Sequence, residues 1–385
     1  MSTADLNLNL TDEQLLVKQT AREFAESYLE PGVIERDDKS ITPLSEIKEM
    51  GKLGFLGMMV PEEWNGSGMD TFSYVLAMEE ISRVDASAGV IMSVNNSLVC
   101  QIIVDWCSEQ QKEKYLTKLS IGEWLGAFSL SEPQSGSDAS NMNTFAEKNN
   151  NSYILNGTKN WVTNGISSDV VIVFALTEKN VGHKGISAFI VEKGTQGLST
   201  GKKEDKLGIR GSDTCELYFD NCRIPLENRI GKEGEGFNIA LKTLNGGRIG
   251  IATQALGISR ASLEKSLEYS KERKQFGKTL NSFEAIQSKL AQIATRLEAA
   301  RLLTWKAAKL KDSKQNFVKE AAMAKLFASQ LAVDASRECV QIFGGYGYMQ
   351  EYGVERLMRD AKITQIYEGT SEIQELIIFR CLSEE

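Results

Sequence analysis

Glu368 lies in the turn-forming stretch 366–374, where a carboxylate is followed directly by a glycine. Because glycine has no side chain, a substrate can approach the backbone closely at such a place. A second stretch, 341–345, ends in two glycines after a helical pattern, which predicts a helix stop. Both stretches indicate places where a ligand could meet the backbone.

Two stretches in the middle of the chain carry hydroxyl and aromatic groups. Residues 128–139 combine several serines with a glycine, and their hydroxyl and backbone N–H groups could hold a carbonyl- or phosphate-rich ligand. An ordinary Ser/Gly/Asp loop has the same composition. Residues 161–165 offer a flat tryptophan surface and the hydroxyl of Thr163, and a core tryptophan beside a turn fits them equally well.

Cations stand at the end of a predicted helix in residues 272–277, where Arg273 and Lys274 precede Phe276. Such cations can cap the last helix carbonyls or neutralise the phosphates of a ligand. Helix capping is enough to explain one cluster of this kind, so the pattern alone leaves both roles open.

The chain has a single histidine, His183, in a polar stretch where we expect a solvated loop residue. This excludes most Ser-His-Asp, Cys-His and histidine-ligated zinc chemistry. The sequence also has no G-x-G-x-x-G, P-loop or G-x-S-x-G motif. Catalysis by this chain must therefore rest on carboxylates, backbone dipoles or a cofactor.

Composition and charge exclude several partners. The 385 residues carry a net charge of −8 with scattered cations, which argues against nucleic acid as a partner. The N-terminus lacks signal-peptide features, and no apolar run approaches the roughly 20 residues of a membrane span. Six cysteines fit neither a disulfide framework nor a metal site and favour a reducing compartment. We expect a cytoplasmic protein, or a mitochondrial-matrix one if the source is eukaryotic and a transit peptide is missing from this chain.

Hydrophobic periodicity predicts the elements that must position these groups. Residues 1–125 have helical patterns, and a capping box at residues 11–14 begins the first helix. Residues 126–235 have short β-rich runs, with a hairpin turn predicted at Asn156–Gly157. The spacing of the further runs at 170–176, 186–191 and 215–220 is typical of an antiparallel barrel or sandwich.

Long helical patterns return from residue 236 and predict a helix bundle. They occupy residues 237–273, 284–311 and 318–343. The last is rich in alanine, which permits close helix approach, and Gly344 and Gly345 predict its end.

Taken together and in this order, these stretches resemble the acyl-CoA dehydrogenase family over essentially the full length. The matching segments are LSEPQSGSDA, WVTNG, LGIRGSDTCELYFDNCRIP, RKQFG, QIFGGYGY and RDAKITQIYEGTSEIQ. The resemblance implies a multidomain α+β fold. Its parts are an all-α N-terminal domain (1–125), a central antiparallel β-barrel or sandwich domain (126–235) and a C-terminal four-helix bundle (236–385). It also implies FAD as cofactor and a homotetramer, and the short-chain, butyryl-CoA-like branch is the most similar.

The same resemblance assigns residues to the cofactor and the substrate. The flavin is lined from the β-domain by Phe128, Leu130, Ser131, Ser137, Trp161 and Thr163. A neighbouring subunit holds the diphosphate and adenosine part with Arg273, Phe276, Gln341, Gly344 and Gly345, and Thr370 and Glu372 close the site. Substrate contacts fall on Ser137, Asn245, Arg248 and Gly369.

By this resemblance, Glu368 removes the α-proton of an acyl-CoA thioester, flavin N5 accepts the β-hydride, and electron-transfer flavoprotein receives the electrons. Hydrogen bonds to the thioester oxygen come from the Glu368 backbone N–H and a ribityl hydroxyl. Some relatives place the base just before the residue matching Arg248. That position is Gly247 here, so Glu368 has no competitor.

Two positions depart from the family pattern. Glu284 stands near FAD where the family often has Gln, and its charge repels a diphosphate unless it is protonated, turned away or paired. Asn245 replaces a common Asp ahead of Arg248. Alternative functions are a branched- or medium-chain dehydrogenase, an acyl-CoA oxidase, or a non-catalytic flavin-fold protein that binds acyl-CoA or nucleic acid.

Overall fold

The computed structural model describes residues 9–384. The first region is helical, and its first helix starts where the sequence predicts. Thr11 accepts a hydrogen bond from the Gln14 backbone N–H, and the Gln14 side chain accepts one from the Thr11 N–H, so the capping box is confirmed. The helices of this region are α1 (Asp12–Phe24), α2 (Val33–Asp38), α3 (Leu44–Lys52), α4 (Thr71–Val84), α5 (Ala86–Ser93), α6 (Gln101–Trp106) and α7 (Glu109–Leu119).

A π-helical segment, Val94–Cys100, joins α5 to α6 into one continuous helix, Ala86–Trp106. Contrary to expectation, this helix of 21 residues is long and apolar enough to cross a membrane. No other helix in residues 9–384 is both long enough and apolar enough to do so. Because 89% of an apolar 18-residue stretch of Ala86–Trp106 is buried inside the protein, this helix has the surroundings of a core helix in a folded domain.

The second region is one sheet of eight strands. The strands are β1 (Gly126–Ser129), β2 (Phe145–Asn149), β3 (Ser152–Thr163), β4 (Val170–Leu176), β5 (Ile186–Glu192), β6 (Leu198–Thr200), β7 (Thr214–Pro225) and β8 (Arg229–Ile230). Their order is β6-β7-β3-β2-β4-β5-β8, with β1 beside β4. The β1–β4 and β2–β4 pairs are parallel, so the sheet is mixed where the sequence predicted antiparallel strands alone.

The hairpin prediction at Asn156–Gly157 is wrong, because both residues lie inside the continuous strand β3. The pairing of β3 with β7 shifts register there, between Leu155 and Gly157. A Cβ atom at position 157 would lie 2.5 Å from the Thr144 hydroxyl oxygen, so the glycine permits a close approach rather than a turn. The actual turn joins β2 to β3 at Asn150, whose φ is +49°.

The third region is helical again and contains α8 (Gly236–Glu272), α9 (Glu284–Asp312), α10 (Val318–Phe343), α11 (Val354–Ile363) and α12 (Ser371–Ser383). A short hairpin of β9 (Lys274–Gln275) and β10 (Lys278–Thr279) separates α8 from α9. As predicted, α10 ends at a glycine, Gly344, with a φ of +63°. Its alanines are buried, and α10 packs closely along α8.

One apolar core joins the three regions. It includes Ile103 from the first region, Ile172 from the sheet, and Leu256 and Leu331 from the last helices. Helix α8 contacts α4, β5 and α10, so it lies at the centre of the molecule. A side chain in the middle of α8 is therefore close to all three regions.

Candidate active site

Glu368 lies in the connection between α11 and α12, in an unusual backbone conformation. Its φ is +52° and that of Gly369 is +90°, so two consecutive residues are left-handed. Glutamate is not among the residues that adopt this region easily, and such a conformation persists only where its surroundings fix it. Thr370 then caps α12 by accepting a hydrogen bond from the Ile373 N–H at 3.4 Å.

Two buried side chains fix this turn from outside it. Gln374 donates from Nε2 to the carbonyl oxygens of Gly369 at 2.8 Å and of Glu368 at 3.3 Å. The ammonium of Lys325 on α10 donates to the same Gly369 carbonyl. These contacts supply the hydrogen bonds that a strained turn needs in order to remain in one conformation.

The carboxylate of Glu368 points into the protein against α8. Although the residue as a whole is partly exposed, its Oε2 atom is buried and has no hydrogen-bond partner among the described residues. Burial raises the pKa of Glu368 to about 7, against the opposing effect of the cations Lys325 and Arg248. A carboxyl with a pKa near neutrality and a free oxygen has the properties of a general base.

Gly247 makes room for this carboxylate. A Cβ atom at position 247 would lie 2.1 Å from Oε2 of Glu368 and 2.9 Å from a methyl carbon of Leu98. The absence of a side chain at this one position of α8 lets the carboxylate lie against the helix backbone.

Arg248 follows directly and is also buried. Its Nη1 donates to the Asn245 side-chain oxygen one helical turn earlier, while its Nε has no partner among the described residues. Burial lowers the pKa of Arg248 to about 10, and Glu368 opposes this effect. Asn245, one of the two residues that depart from the family pattern, thus gives this cation a neutral partner.

Tyr367 directly precedes Glu368 and is held by α8. Its hydroxyl donates to the Gln254 side-chain oxygen, and Gln254 donates in turn to the Ala86 carbonyl at 2.7 Å. Burial, and then the Glu368 charge, raise the pKa of Tyr367 well above its ordinary value. This chain of contacts ties the Glu368 turn to α8 and to the start of α5.

The predicted flavin-lining residues of the sheet lie on β1, β3 and the loop after β1. Trp161 has a φ of +59° and a 64% exposed side chain, although it lies near the end of a strand in the middle of a sheet. The Asn160 N–H donates to the Ser131 carbonyl at 2.8 Å, which brings the serine loop and the tryptophan strand together. Phe128 packs on Phe174 with ring centroids 5.1 Å apart. Of the other residues, Leu130 is buried, Ser131 and Thr163 are half-buried, and Ser137 is exposed.

A buried ion pair holds the serine loop on the sheet. The Lys159 ammonium donates to the Leu130 carbonyl at 3.0 Å and to the Glu132 carboxylate at 2.7 Å. Glu132 also accepts from the backbone N–H groups of Asn143 and Thr144, at 2.6 and 3.0 Å. Burial lowers the pKa of Lys159 to about 8, against the attraction of Glu132.

The predicted diphosphate and adenosine residues form a separate group where α8 and α10 end. The rings of Tyr269 and Phe343 stack with centroids 4.0 Å apart, and the Arg273 guanidinium lies 5.2 Å from the centre of the Tyr346 ring. Phe276 is 92% exposed, at a φ of +53°. Gln341, Gly344 and Gly345 are exposed, and a Cβ atom at either glycine would meet no atom of the described part of the chain within 4 Å.

This second group is far from Glu368 within one chain. Arg273 comes 26 positions (273 minus 247) after Gly247, at the end of the continuous helix α8. At 1.5 Å per residue the two positions are about 39 Å apart. The fold therefore does not bring Arg273 close to the base in a single chain.

The remaining predicted positions lie at helix N-termini. Glu284 is exposed in the first turn of α9, a favourable place for a carboxylate because of the helix dipole. Glu372 is exposed in the first turn of α12, and a hydrogen bond with Thr370 lowers its pKa.

Sequence reasoning missed Lys325, Gln374 and Gln254. One signal was present for Lys325, which stands between the buried alanines Ala324 and Ala328 on the apolar side of α10. A lysine in such a row needs a buried partner. No sequence pattern indicates that its partner is a carbonyl 44 positions further on.

The chain is similar to known proteins in both sequence and fold. Family models for the N-terminal, middle and C-terminal domains of acyl-CoA dehydrogenases match residues 11–123, 127–222 and 234–382. An acyl-CoA dehydrogenase of Bacillus subtilis is 52% identical, over 97% of this chain and 99% of the relative. The mitochondrial short-chain specific acyl-CoA dehydrogenase of Rattus norvegicus is 51% identical, over 98% of this chain and 92% of the relative. The solved structure of butyryl-CoA dehydrogenase from Megasphaera elsdenii is 49% identical, with a TM-score of 0.97, over 98% of this chain and 100% of that one.

A sheet region between two helical regions, with a buried carboxylate held against the central helix, defines an oxidoreductase of the acyl-CoA dehydrogenase fold. The chain belongs to the acyl-CoA dehydrogenase family.

Proposed function

We propose that this chain catalyses the FAD-dependent α,β-dehydrogenation of short-chain acyl-CoA thioesters to trans-2-enoyl-CoA. The observation that carries the proposal is the buried Glu368 carboxylate, whose Oε2 has no hydrogen-bond partner within residues 9–384 and whose pKa is raised to about 7. Two relatives at about half identity are named for short-chain substrates, and this supports the chain-length class.

Glu368 removes the α-proton in this reaction. A base with a pKa near 7 is partly ionised at neutral pH and is still strong enough to accept a proton from carbon. Bound substrate displaces water from the turn, and the backbone N–H of Glu368 then donates to the thioester oxygen as negative charge develops there. Ser137, Asn245, Arg248 and Gly369 are the proposed substrate contacts.

FAD fits the residues that remain. Trp161 presents an exposed aromatic face from the sheet, and the Cβ positions of Gly344 and Gly345 face open space that can accommodate a cofactor backbone. When bound, the flavin supplies the hydride acceptor that no protein side chain can provide. The family uses this cofactor. Phe128, Leu130, Ser131, Ser137, Trp161 and Thr163 line its ring system, and Thr370, Glu372 and Glu284 lie near it.

A second copy of the chain completes each cofactor site in this proposal. Arg273, at the end of α8, is about 39 Å along this helix from the position of the base, too far to serve the same cofactor in one chain. Phe276, Gln341, Gly344 and Gly345 belong to the same group, because Tyr269 near the end of α8 stacks on Phe343 at the end of α10. They contact the cofactor of a neighbouring subunit, which accounts for the 92% exposure of Phe276 in the single chain. The assembly is a homotetramer, and its electrons pass to electron-transfer flavoprotein.

We divide the chain into a helical domain (1–125), a β-domain (126–235) and a helix-bundle domain (236–385), and we place the enzyme in the cytoplasm. The element bounds support the division, because α7 ends at Leu119, β1 begins at Gly126 and α8 begins at Gly236.

Anaerobic titration with butyryl-, octanoyl- and isovaleryl-CoA tests the function, with flavin absorbance as the readout. We expect the oxidised-flavin band near ~450 nm to bleach fastest with butyryl-CoA. Faster bleaching by another thioester would change the substrate class. A protein that binds thioesters without bleaching would contradict the dehydrogenase function, and turnover with O₂ at the full reductive rate would identify an oxidase.

Glu368→Gln tests the role of the base. We expect the variant to retain flavin and acyl-CoA binding while its reductive half-reaction slows by at least about 10²–10⁴-fold, the usual contribution of a general base. Wild-type reduction in the variant would remove Glu368 from the mechanism.

A further inference from the structure

Lys325 is a cation in the interior of the protein. It is 0% exposed, in the N-terminal third of α10 and among the alanines that pack this helix against its neighbours. A buried ammonium is unfavourable unless hydrogen bonds and an opposite charge compensate for lost hydration. Lys325 therefore requires a structural or functional reason for its place.

The compensation comes from the turn that carries the base. The Lys325 ammonium donates to the carbonyl of Gly369, which is the residue directly after Glu368. Glu368 also favours the charged form of Lys325, while burial lowers the pKa of Lys325 to about 8. The ionised Glu368 carboxylate thus favours the ammonium form of Lys325.

The charged and titratable groups around Glu368 come from three further helices. Arg248 faces it from α8 and Lys325 from α10, and both favour the ionised carboxylate. Tyr74 from α4 and the adjacent Tyr367 are both affected by the Glu368 charge, which favours their neutral forms. Lys325 itself also faces Arg248, and Glu372 on α12. Within residues 9–384, Lys325 is the one of these two cations that also donates a hydrogen bond to the turn of Glu368.

We propose that Lys325 is a positioning residue for proton abstraction, which holds the left-handed turn at Gly369 and whose positive charge favours the ionised Glu368 carboxylate. This inference rests on the proposed function, because it assumes that Glu368 is the base. Lys325 contacts no reacting atom, and it acts through the geometry and charge of Glu368.

The two effects can be separated, because Gln374 holds the same turn without a charge. Gln374 donates to the same Gly369 carbonyl, at 2.8 Å. Gln374→Leu removes hydrogen bonds from the turn and leaves the cation in place. Lys325→Met removes both the bond and the charge, and Lys325→Gln keeps a donor while removing the charge. Lys325→Arg keeps the charge in a larger group.

The experiment is the pH dependence of the anaerobic reduction rate with butyryl-CoA, measured for the wild type and these four variants. The low-pH limb reports ionisation of the base, since a protonated carboxyl cannot accept the α-proton. We expect Lys325→Met and Lys325→Gln to move this limb upward by about one pH unit, a tenfold loss of rate on the acid side. Gln374→Leu should lower the rate at every pH without moving the low-pH limb. Lys325→Arg, which keeps the charge, should leave the limb close to its wild-type position.

A second measurement needs no substrate, so it also works for variants that turn over poorly. The gain in free energy of unfolding caused by Glu368→Gln is measured as a function of pH, in the wild-type and in the Lys325→Met background. The pH at which this gain reaches half of its full value should be about one pH unit higher in the Lys325→Met background. Should Lys325→Met not fold, Lys325→Gln serves in the same cycle.

The outcomes distinguish this inference from the proposed function. If the wild type is reduced and the limb stays in place when the charge of Lys325 is removed, Lys325 does not tune the base and the inference is wrong. If the wild type is not reduced by any thioester, the proposed function fails, and the substrate-free cycle still decides whether Lys325 tunes Glu368.

Discussion

The carboxylate of Glu368 lies against the bare backbone of Gly247, so close that a Cβ atom at 247 would be 2.1 Å from Oε2. The two residues are 121 positions apart (368 minus 247) and meet because the turn before α12 folds onto the middle of α8. A helix interior otherwise disfavours glycine by about 1 kcal/mol relative to alanine. The close approach of the Glu368 carboxylate explains why a glycine stands at position 247 inside this helix.

Gly247→Ala should therefore stabilise the helix locally but displace the base. We expect the reduction rate with butyryl-CoA to fall by about 10²-fold, since a shift of about 1 Å in a reacting group has effects of that size. Gly246→Ala is the matched control, because a Cβ atom there has its nearest neighbour, the Lys311 ammonium, at an ordinary 3.6 Å. Equal losses in both variants would assign the effect to the helix backbone.

Glu368 should reduce the stability of the folded protein at neutral and alkaline pH. Its pKa rises from 4.5 to about 7 on folding because of burial. The destabilisation is absent below pH 4.5, grows between pH 4.5 and 7, and is complete above pH 7. We expect Glu368→Gln to raise the free energy of unfolding by up to about 3 kcal/mol at pH 8 and to have no such effect at pH 4. Glu372→Gln, at an exposed site, is the control and should not raise the free energy of unfolding in this way. If the Glu368→Gln variant differed from the wild type by the same amount at pH 4 and pH 8, the pKa of Glu368 would not be raised by folding.

The Lys159–Glu132 pair should matter both for stability and for cofactor retention. Both side chains are almost fully buried, at 0% and 2% exposure, so removing one partner leaves an uncompensated charge. We expect Lys159→Met to destabilise the protein by about 3–5 kcal/mol in denaturant unfolding and to lower its flavin content. The double variant with Glu132→Gln should recover much of this loss. A double variant as unstable as the sum of the two single ones would show that the pair is not coupled.

Trp161 should be needed for the cofactor and not for the fold. Because 64% of its side chain is exposed, Trp161→Ala removes little buried apolar area. We expect thermal unfolding of the flavin-free protein to change little, while flavin affinity drops at least tenfold in an equilibrium titration. Trp161→Phe should retain most of the affinity. A large stability loss with normal flavin binding would instead identify a structural tryptophan.

Local sequence patterns predicted the elements whose conformation depends mainly on neighbouring residues. The capping box at Thr11, the strand at Val170–Leu176 and the stop of α10 at Gly344 depend on neighbouring residues and are confirmed. His183 lies exposed in a short 3-10 segment, as expected of a loop residue. The Asn156–Gly157 turn failed because a long-range pairing with β7 overrode a strong local preference.

The sequence by itself determined the helix–sheet–helix succession and, through the order of its stretches, the family and Glu368 as the candidate base. Only the tertiary structure decided that Gly247, Lys325 and Gln374 surround this base. These residues come from separate helices, and the raised pKa of Glu368 comes from burial that exists only after the helices pack. Periodicity reports which face of an element is apolar, whereas the distance between side chains far apart in the chain is set by packing.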